Sequence, residues 1–382
     1  MTTEAAKARI LVVDDDPGIL LGISRVLGRR YELLCVESPS VALSQATSFE
    51  PDLAVLDVRM REMNGFELMR ELQARITELD VLLMTGSAEE PDANLIRAVD
   101  EGAFYFIQKP FDRKVLLALV TRCLELRRLR FEKQAYTLRL EQELNEARRF
   151  QLSMFPPEEC TLDDLALRAR YVSCDELAGD FFDYVVDGKD AVALVVADVV
   201  GHGASAAMMT GIVKSAFRSS DADCFDPLAV VGRVMESIRV FDESRFVTLV
   251  CMRLDRRTRR LTYVNAGHPP PILRRADGRS KFLDSTGPLI SSALVDLPMT
   301  SDYVDLQPGD FLFCYTDGLI EAHGAAGLFG RERLQSVVCR APSQAWQDVD
   351  EILSAVAQFC DGRPYRDDIT VLGLEMLRPR SR

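Results

Sequence analysis

The chain has 382 residues, a formal net charge of −13 and nine cysteines. This length exceeds one ordinary domain and is enough for two sizeable hydrophobic cores. The acidic balance disfavours a nucleic-acid partner, and no apolar stretch reaches the roughly 20 residues that a membrane span requires. The cysteines form no Cys-x-x-Cys pair, which indicates reduced thiols, and the first nine residues lack a signal-peptide core. We therefore expect a cytoplasmic protein with two domains.

The first third of the chain contains four short apolar segments, and each of them leads into polar residues. Those polar residues are Asp14, Asp15, Asp16, Asp57, Thr85 and Lys109. Segments with helical periodicity alternate with the apolar ones, at 17–29, 39–48, 64–75 and 91–101. This alternation predicts a parallel sheet whose polar residues gather at the carboxyl ends of the strands.

The polar residues at that edge have the chemistry of a phosphoryl-accepting site. Asp14, Asp15 and Asp57 offer hard oxygen ligands for one Mg²⁺, and the carboxylate of Asp57 can attack a phosphoryl group. Thr85 and Lys109 can then bind the phosphoryl oxygens. The alternative for the first acids is a simple acidic turn, which the register of the other three residues disfavours.

This set of residues resembles the receiver domain of two-component response regulators, and we assign residues 1–122 to it. The resemblance implies a (βα)5 doubly wound parallel sheet, phosphorylation of Asp57 by a sensor histidine kinase or a phosphotransfer protein, and a switch role for Phe106. Arg61 departs from the family pattern, in which a proline is commoner at that position.

Residues 123–158 form a predicted helical linker with few glycines or prolines before Pro156. Apolar residues recur there at three- or four-residue spacing, with one lysine among them: Leu126, Leu129, Lys133, Tyr136, Leu140, Ala147 and Phe150. Such a stripe needs a partner. It either pairs two copies of the chain as a coiled coil, which we favour, or packs back on its own domains.

Widely separated acids follow apolar runs in the second half of the chain. These acids are Asp198, Asp317, Asp367 and Asp368. Taken singly, an aspartate after a strand is usually a turn or cap residue. Carboxylates that converge repel one another unless cations hold them together, and hard oxygen ligands suit Mg²⁺ or Mn²⁺. Two such ions can activate a shared water and clamp a phosphoryl group, so the pattern predicts a dimetal phosphatase.

Together with the segment LeuAlaGlyAspPhePheAsp at 177–183, these motifs resemble the metal-dependent protein phosphatase (PPM) family in its SpoIIE/RsbU branch. We assign residues 159–382 to this domain, for which the resemblance implies an α/β-β/α sandwich. It also implies that Asp198 bridges two Mn²⁺ or Mg²⁺ ions and that the backbone carbonyl of Val199 faces the second ion.

The remaining ligands follow from the same resemblance. Asp317 and Asp367 would complete the first ion's ligands, with Asp368 as neighbour or substitute. Asp180 and Asp183 would act near the second ion. The three histidines, His202, His268 and His323, are expected to have structural or supporting roles.

The resulting interpretation is a response regulator with a phosphorylation-gated serine/threonine phosphoprotein phosphatase as its output. In the RsbU branch the substrate is typically an anti-sigma-factor antagonist, which implies control of a sigma-factor-dependent programme. The alternative is an RssB-type adaptor, in which a phosphatase-like domain binds a sigma factor or another partner and controls its turnover. That role needs no metal carboxylates, so their presence favours the enzyme.

Overall fold

The computed structural model describes residues 7–86, 105–174, 176–188, 190–201, 203–219, 223–340 and 345–378. The chain divides into two compact units, Met1–Leu140 and Glu141–Arg382. Among the described helices, none is long and apolar enough to cross a membrane.

The first unit is built on a parallel sheet of five strands in the order β2-β1-β3-β4-β5. Its strands are β1 (Arg9–Val13), β2 (Glu32–Val36), β3 (Leu53–Asp57), β4 (Asp80–Thr85) and β5 (Tyr105–Gln108). Its first helices are α1 (Pro17–Leu27), α2 (Pro39–Phe49) and α3 (Gly65–Arg75). The helix predicted at 91–101 lies outside the described residues.

The sheet is buried on both faces, which explains why its strands are nearly continuous apolar runs. One face packs against α1 and the start of the helix that follows β5, through residues such as Leu20, Ile23 and Leu116. The other face packs against α2 and α3, through residues such as Ala42 and Phe66. All the strands run in the same direction, so their carboxyl ends meet at one edge.

Helix α4 (Arg113–Ser153) has 41 residues and contains the boundary between the two units. In the first unit, Arg130 of α4 pairs with the buried Asp80 at 2.5 Å, and Arg127 lies 3.6 Å from Asp52. The helix covers most of the predicted linker. The domain boundaries predicted from the sequence remain a prediction.

The second unit contains two larger antiparallel sheets. The first has the order β15-β11-β10-β9-β8, with β14 paired to β10, and the second has the order β13-β12-β16-β19-β7-β6. The strands are β6 (Glu159–Thr161), β7 (Leu165–Val172), β8 (Asp180–Asp187), β9 (Ala191–Val199), β10 (Phe246–Asp255), β11 (Arg260–Ala266), β12 (Ile272–Arg274), β13 (Ser280–Phe282), β14 (Ile290–Ser291), β15 (Asp302–Asp305), β16 (Phe311–Tyr315) and β19 (Ile369–Met376). Strands β17 (His323–Gly324) and β18 (Gly327–Leu328) form a separate small hairpin.

Helices cover the outer face of each of these sheets. They are α5 (Ala204–Arg218), α6 (Pro227–Ile238), α7 (Asp317–Ile320), α8 (Arg331–Arg340) and α9 (Ala345–Cys360), with a short 3₁₀ turn at Asp223–Phe225. A core between the sheets takes side chains from β7, β8, β9, β10 and β19. Helices α5 and α6 cover the first sheet, and α8 and α9 cover the second. The α/β fold class expected from the sequence is confirmed, with a parallel sheet in the first unit and layered antiparallel sheets in the second.

Candidate active sites

In the first unit, Asp14, Asp15 and Asp57 converge at the carboxyl edge of the parallel sheet. One carboxylate oxygen of each residue lies within 4.8 Å of those of the other two. Among the described residues, this is the one group of three acids, histidines or cysteines whose ligand atoms are that close. Such an all-oxygen cluster fits a hard divalent cation such as Mg²⁺.

Lys109 lies between two of these acids. Its Nζ is 2.5 Å from Asp14 Oδ2 and 2.7 Å from Asp57 Oδ1. Burial raises the pKa of the Asp14 carboxyl, and the hydrogen bond from Lys109 opposes that shift. A fixed positive charge beside Asp57 suits a site that receives an anionic phosphoryl group.

Two further residues predicted for this site lie on neighbouring strands. Thr85 is buried at the end of β4, and its carbonyl accepts a hydrogen bond from the backbone N–H of Lys109 at 2.6 Å. Phe106 is partly buried in β5, paired with Leu83 of β4. The structure therefore brings Asp14, Asp15, Asp57 and Lys109 together, with Thr85 adjacent to Lys109.

In the second unit, the acids come from both large sheets. Asp198 is the penultimate residue of β9 and is paired across the first sheet with Asp180, the first residue of β8. Asp317 follows β16 in the second sheet, and Asp367 and Asp368 precede β19, which pairs with β16. Five acids separated by up to 188 positions in the sequence are thereby placed near the same ends of the two sheets.

These carboxylates are close enough for their charges to raise one another's pKa. Burial first, and then the charges of four other carboxylates, raise the pKa of Asp198 to about 7. They belong to Asp317, Asp367, Asp368 and Glu321. The pKa of Asp180 is also raised, first by burial and then by Asp198. Acids that destabilise one another in this way form a donor set suited to divalent cations.

Backbone groups hold Asp368 in place. Its Oδ1 accepts a hydrogen bond from the backbone N–H of Cys174 at 2.9 Å, and its Oδ2 accepts one from Gly179 at 3.1 Å. Gly179 has to be glycine because a Cβ there would lie 2.5 Å from the carbonyl oxygen of Val199. The same argument applies to Gly318, whose Cβ would lie 2.0 Å from the carbonyl oxygen of Asp368.

Asp183 is not part of this cluster, although the sequence predicted that it would act near the second ion. Its fully buried carboxylate accepts two hydrogen bonds from Arg218, at 2.6 and 2.7 Å, and one from Lys214 at 3.0 Å. It lies three positions after Asp180 on β8, so the two side chains face opposite sides of the strand. An acid already paired with two cations is not available as a ligand for a third.

The histidines differ in their surroundings. His268 is buried, its Nδ1 lies 2.9 Å from Thr248 Oγ1, and burial lowers its pKa to about 3. A neutral, enclosed imidazole of this kind fits a structural role. Nδ1 of His323 lies 2.9 Å from the carbonyl oxygen of Glu321. His202 lies outside the described residues.

Two residues that support the candidate site were not predicted from the sequence. Thr316 Oγ1 donates a hydrogen bond to Asp180 Oδ2 at 2.7 Å and accepts one from the backbone N–H of Thr370 at 2.9 Å, which joins the two sheets at the site. Gln151, near the end of α4, makes hydrogen bonds to the backbone of Ala178, two residues before Asp180. Thr316 could have been predicted, because it is a polar residue directly before the predicted ligand Asp317. Nothing in the sequence indicated a role for Gln151.

Comparison with known proteins agrees with this division of the chain. The family model of stage II sporulation protein E (SpoIIE) matches residues 188–377, and that of the response regulator receiver domain matches residues 10–121. The chain is 27% identical over 261 residues to Protein IcfG of Synechocystis sp., a match that covers 61% of this chain and 41% of that protein. It is 28% identical over 201 residues to the phosphoserine phosphatase RsbP of Bacillus subtilis, with 51% of this chain and 49% of that protein covered.

The chain spans about half the length of these curated relatives. Among solved structures, the SiaA-PP2C domain of Pseudomonas aeruginosa is similar in fold, with a TM-score of 0.55 and 21% sequence identity. That similarity covers 63% of this chain and 99% of that domain. The chain is thus a fusion of a response regulator receiver domain with a PP2C-type phosphatase domain of the SpoIIE family.

Proposed function

We propose that this protein is a response regulator whose output is the metal-dependent hydrolysis of phosphoserine or phosphothreonine in a partner protein. The observation that carries the proposal is the position of Asp198. Burial first, and then the charges of Asp317, Asp367, Asp368 and Glu321, raise the pKa of its carboxyl to about 7, and divalent cations would relieve that repulsion.

We infer that the second unit holds two Mn²⁺ or Mg²⁺ ions, because its acids offer hard oxygen ligands and raise one another's pKa. Asp198 would bridge them, Asp317 and Asp367 would complete the first ion's ligands, and Asp180 and the carbonyl of Val199 would serve the second. Asp368 is held by Cys174 and Gly179, so it would orient the loop and lie beside the ions. When bound, such ions supply charge neutralisation for the phosphoryl group and a water of lowered pKa.

The substrate class rests on the family and on the chemistry of the site. RsbP, one of the relatives, is a phosphoserine phosphatase by name, which supports a phosphoserine or phosphothreonine protein as substrate. An anti-sigma-factor antagonist is the substrate we propose, with control of a sigma factor as the consequence. A cytoplasmic location suits these partners.

The receiver would set the activity of the phosphatase. Asp57 would accept a phosphoryl group from a histidine kinase or phosphotransfer protein, with Mg²⁺ held by Asp14, Asp15 and Asp57. Lys109, at 2.7 Å from Asp57 Oδ1, would pair with the phosphoryl oxygens. Thr85 would hydrogen-bond to them, and Phe106 would change position with phosphorylation.

Helix α4 would also make the protein a homodimer. Leu129, Tyr136, Leu140 and Phe150 are exposed along it, at 46%, 69%, 44% and 70% of their surface. Tyr136 lies seven residues after Leu129 and fourteen before Phe150, and Leu140 lies four residues after Tyr136, which is the pattern of a coiled-coil seam. Lys133 and Glu143 interrupt the seam, so the pairing would be weaker than that of a regular coiled coil.

The phosphatase activity is tested by replacing the bridging acid. We expect Asp198→Asn to lower Mn²⁺-dependent turnover of a phosphoserine protein by at least about a hundredfold, because a metal clamp contributes several kcal/mol to phosphoryl transfer. Asp187→Asn is the matched control, since Asp187 is exposed at the opposite end of β8. Equal turnover in the two variants would contradict the proposal and favour the adaptor.

A further inference from the structure

Gln151 is a buried amide near the carboxyl end of α4, with 3% of its surface exposed. The nitrogen and the oxygen of its side-chain amide both form hydrogen bonds to the backbone of one residue in the second unit. Nε2 donates a hydrogen bond to the carbonyl oxygen of Ala178 at 2.7 Å, and Oε1 accepts one from the N–H of Ala178 at 3.2 Å. An amide removed from water in this way depends on these partners, since leaving it unpaired costs about 1–3 kcal/mol.

Ala178 lies in the short segment 177–180, which carries the candidate ligand Asp180. The next residue, Gly179, donates its N–H to Asp368 Oδ2 at 3.1 Å and accepts a hydrogen bond from the N–H of Val199 at 3.1 Å. The residue after that is Asp180, which is paired with Asp198 across the sheet. A shift of Ala178 would therefore displace a candidate ligand and the hydrogen bond that orients Asp368.

Packing and hydrogen bonds fix the end of α4, so the side chain of Gln151 starts from a fixed backbone position. The carbonyl oxygen of Met154 accepts a hydrogen bond from Lys214 of α5. The ring of Phe155 lies 4.8 Å from that of Tyr171 and 5.1 Å from that of Phe182, between the two sheets. Functional groups are positioned best by supporting residues whose own conformations are fixed by packing.

We propose that Gln151 is a positioning residue for the metal site: it fixes segment 177–180 at the place where Asp180 and Asp368 serve the bound cations. The proposal rests on the proposed function of the second unit and adds the element on which the site depends. If so, the position of the metal ligands depends on the position of the end of α4. A change in the rotation or axial position of that helix end would then alter metal affinity directly.

The test replaces the amide by a side chain of similar length without hydrogen-bonding groups. In the full-length protein, Gln151→Met should weaken Mn²⁺ binding, measured by calorimetry, by about tenfold to a hundredfold, as is typical when the support of a metal ligand is removed. Gln142→Met is the matched control, because Gln142 lies exposed on the same helix in the same unit. Turnover of Gln151→Met should recover when Mn²⁺ is raised to saturation, because the ligands themselves are intact.

A second measurement follows the segment directly. Backbone hydrogen exchange at residues 178–180 should be faster in Gln151→Met than in Gln142→Met, while exchange in the core strands stays unchanged. If Gln151→Met does not fold, Gln151→Asn serves in its place, with a smaller effect in the same direction because its amide is one methylene too short to make both bonds. Unchanged Mn²⁺ affinity together with unchanged exchange would overturn the proposal.

These readouts separate the two proposals. A wild-type protein that binds Mn²⁺ but hydrolyses no phosphoprotein would contradict the proposed function, and the affinity ratio of the two variants would still decide the role of Gln151. A wild-type protein that binds no Mn²⁺ would contradict both. Metal-dependent turnover that is equal in both variants at every Mn²⁺ concentration would contradict the role of Gln151 alone.

Discussion

At the scale of single residues, Asp198 is where burial and charge repulsion act together. Its pKa is raised to about 7, first by burial and then by Asp317 and Asp367. In the metal-free protein the carboxyl is therefore protonated below that pH and ionised above it. A cation that binds there below pH 7 must displace a proton, because carboxylate ligands bind metals in the ionised form.

This predicts that Mn²⁺ affinity rises as the pH increases through the pKa of about 7 and levels off above it. Calorimetric titrations at several pH values, in buffers of different ionisation enthalpy, would measure the affinity and the protons released. Asp187→Asn should leave the dependence unchanged. Affinity that is flat across neutral pH, with no proton release, would contradict this account of Asp198.

Single residues also show how far the sequence could predict the site. Each acid of the cluster ends or follows a short apolar run, which is a local pattern, and so Asp198, Asp317 and Asp367 could be singled out. The pairing of Asp183 depends on Lys214 and Arg218, 31 and 35 positions away. Nothing near Asp183 in the sequence distinguishes it from Asp180, so only the fold reveals which of the two faces the other acids.

At the scale of elements, the acids of the second unit are positioned by backbone segments that pack closely against one another at the ends of the strands. Gly318, in α7, packs so tightly that a Cβ would meet the carbonyl oxygen of Asp368 at 2.0 Å. The two contacts missed from the sequence also join separate elements. Thr316 and Asp180 are 136 positions apart, and Gln151 and Ala178 are 27 apart. Strand and helix patterns could be predicted because they are local, whereas these contacts could not.

We therefore predict that Gly318→Ala destabilises the protein by about 1–3 kcal/mol, the usual cost of overpacking, and lowers turnover through displacement of Asp368. The matched control is Gly232→Ala in α6, where a Cβ meets nothing within 4 Å. That control should be stabilising by up to about 1 kcal/mol, because alanine is the better helix former. Urea unfolding of both variants measures the difference, and equal stabilities would show that the loop can move aside.

At the scale of the whole molecule, α4 is a helix of 41 residues that contains the boundary between the two units. The predicted stripe along this helix remains exposed at Leu129, Tyr136, Leu140 and Phe150. Exposed apolar residues at this spacing favour a second copy of the chain as their partner. The spacing was visible in the sequence, whereas the exposure of these four side chains was visible only in the structure.

We predict that the protein sediments as a dimer and that Leu140→Glu shifts it toward the monomer, because a charge on the seam opposes pairing. Leu138→Glu is the matched control. Leu138 is 60% exposed, but it lies off the seven-residue repeat. Analytical ultracentrifugation of the wild type and both variants would decide. A monomeric wild type, or an equal loss of dimer in the two variants, would contradict the coiled coil.

The central claim is that the receiver controls the phosphatase in one protein. Its most direct test is Mn²⁺-dependent hydrolysis of a phosphoserine protein by the full-length chain, measured with and without a small-molecule phosphodonor for Asp57. We predict that the donor changes turnover by at least about fivefold, a coupling of about 1 kcal/mol. We also predict that Asp57→Asn abolishes this change while metal-dependent turnover remains. Turnover that is the same with and without the donor, in a protein shown to be phosphorylated on Asp57, would contradict the claim.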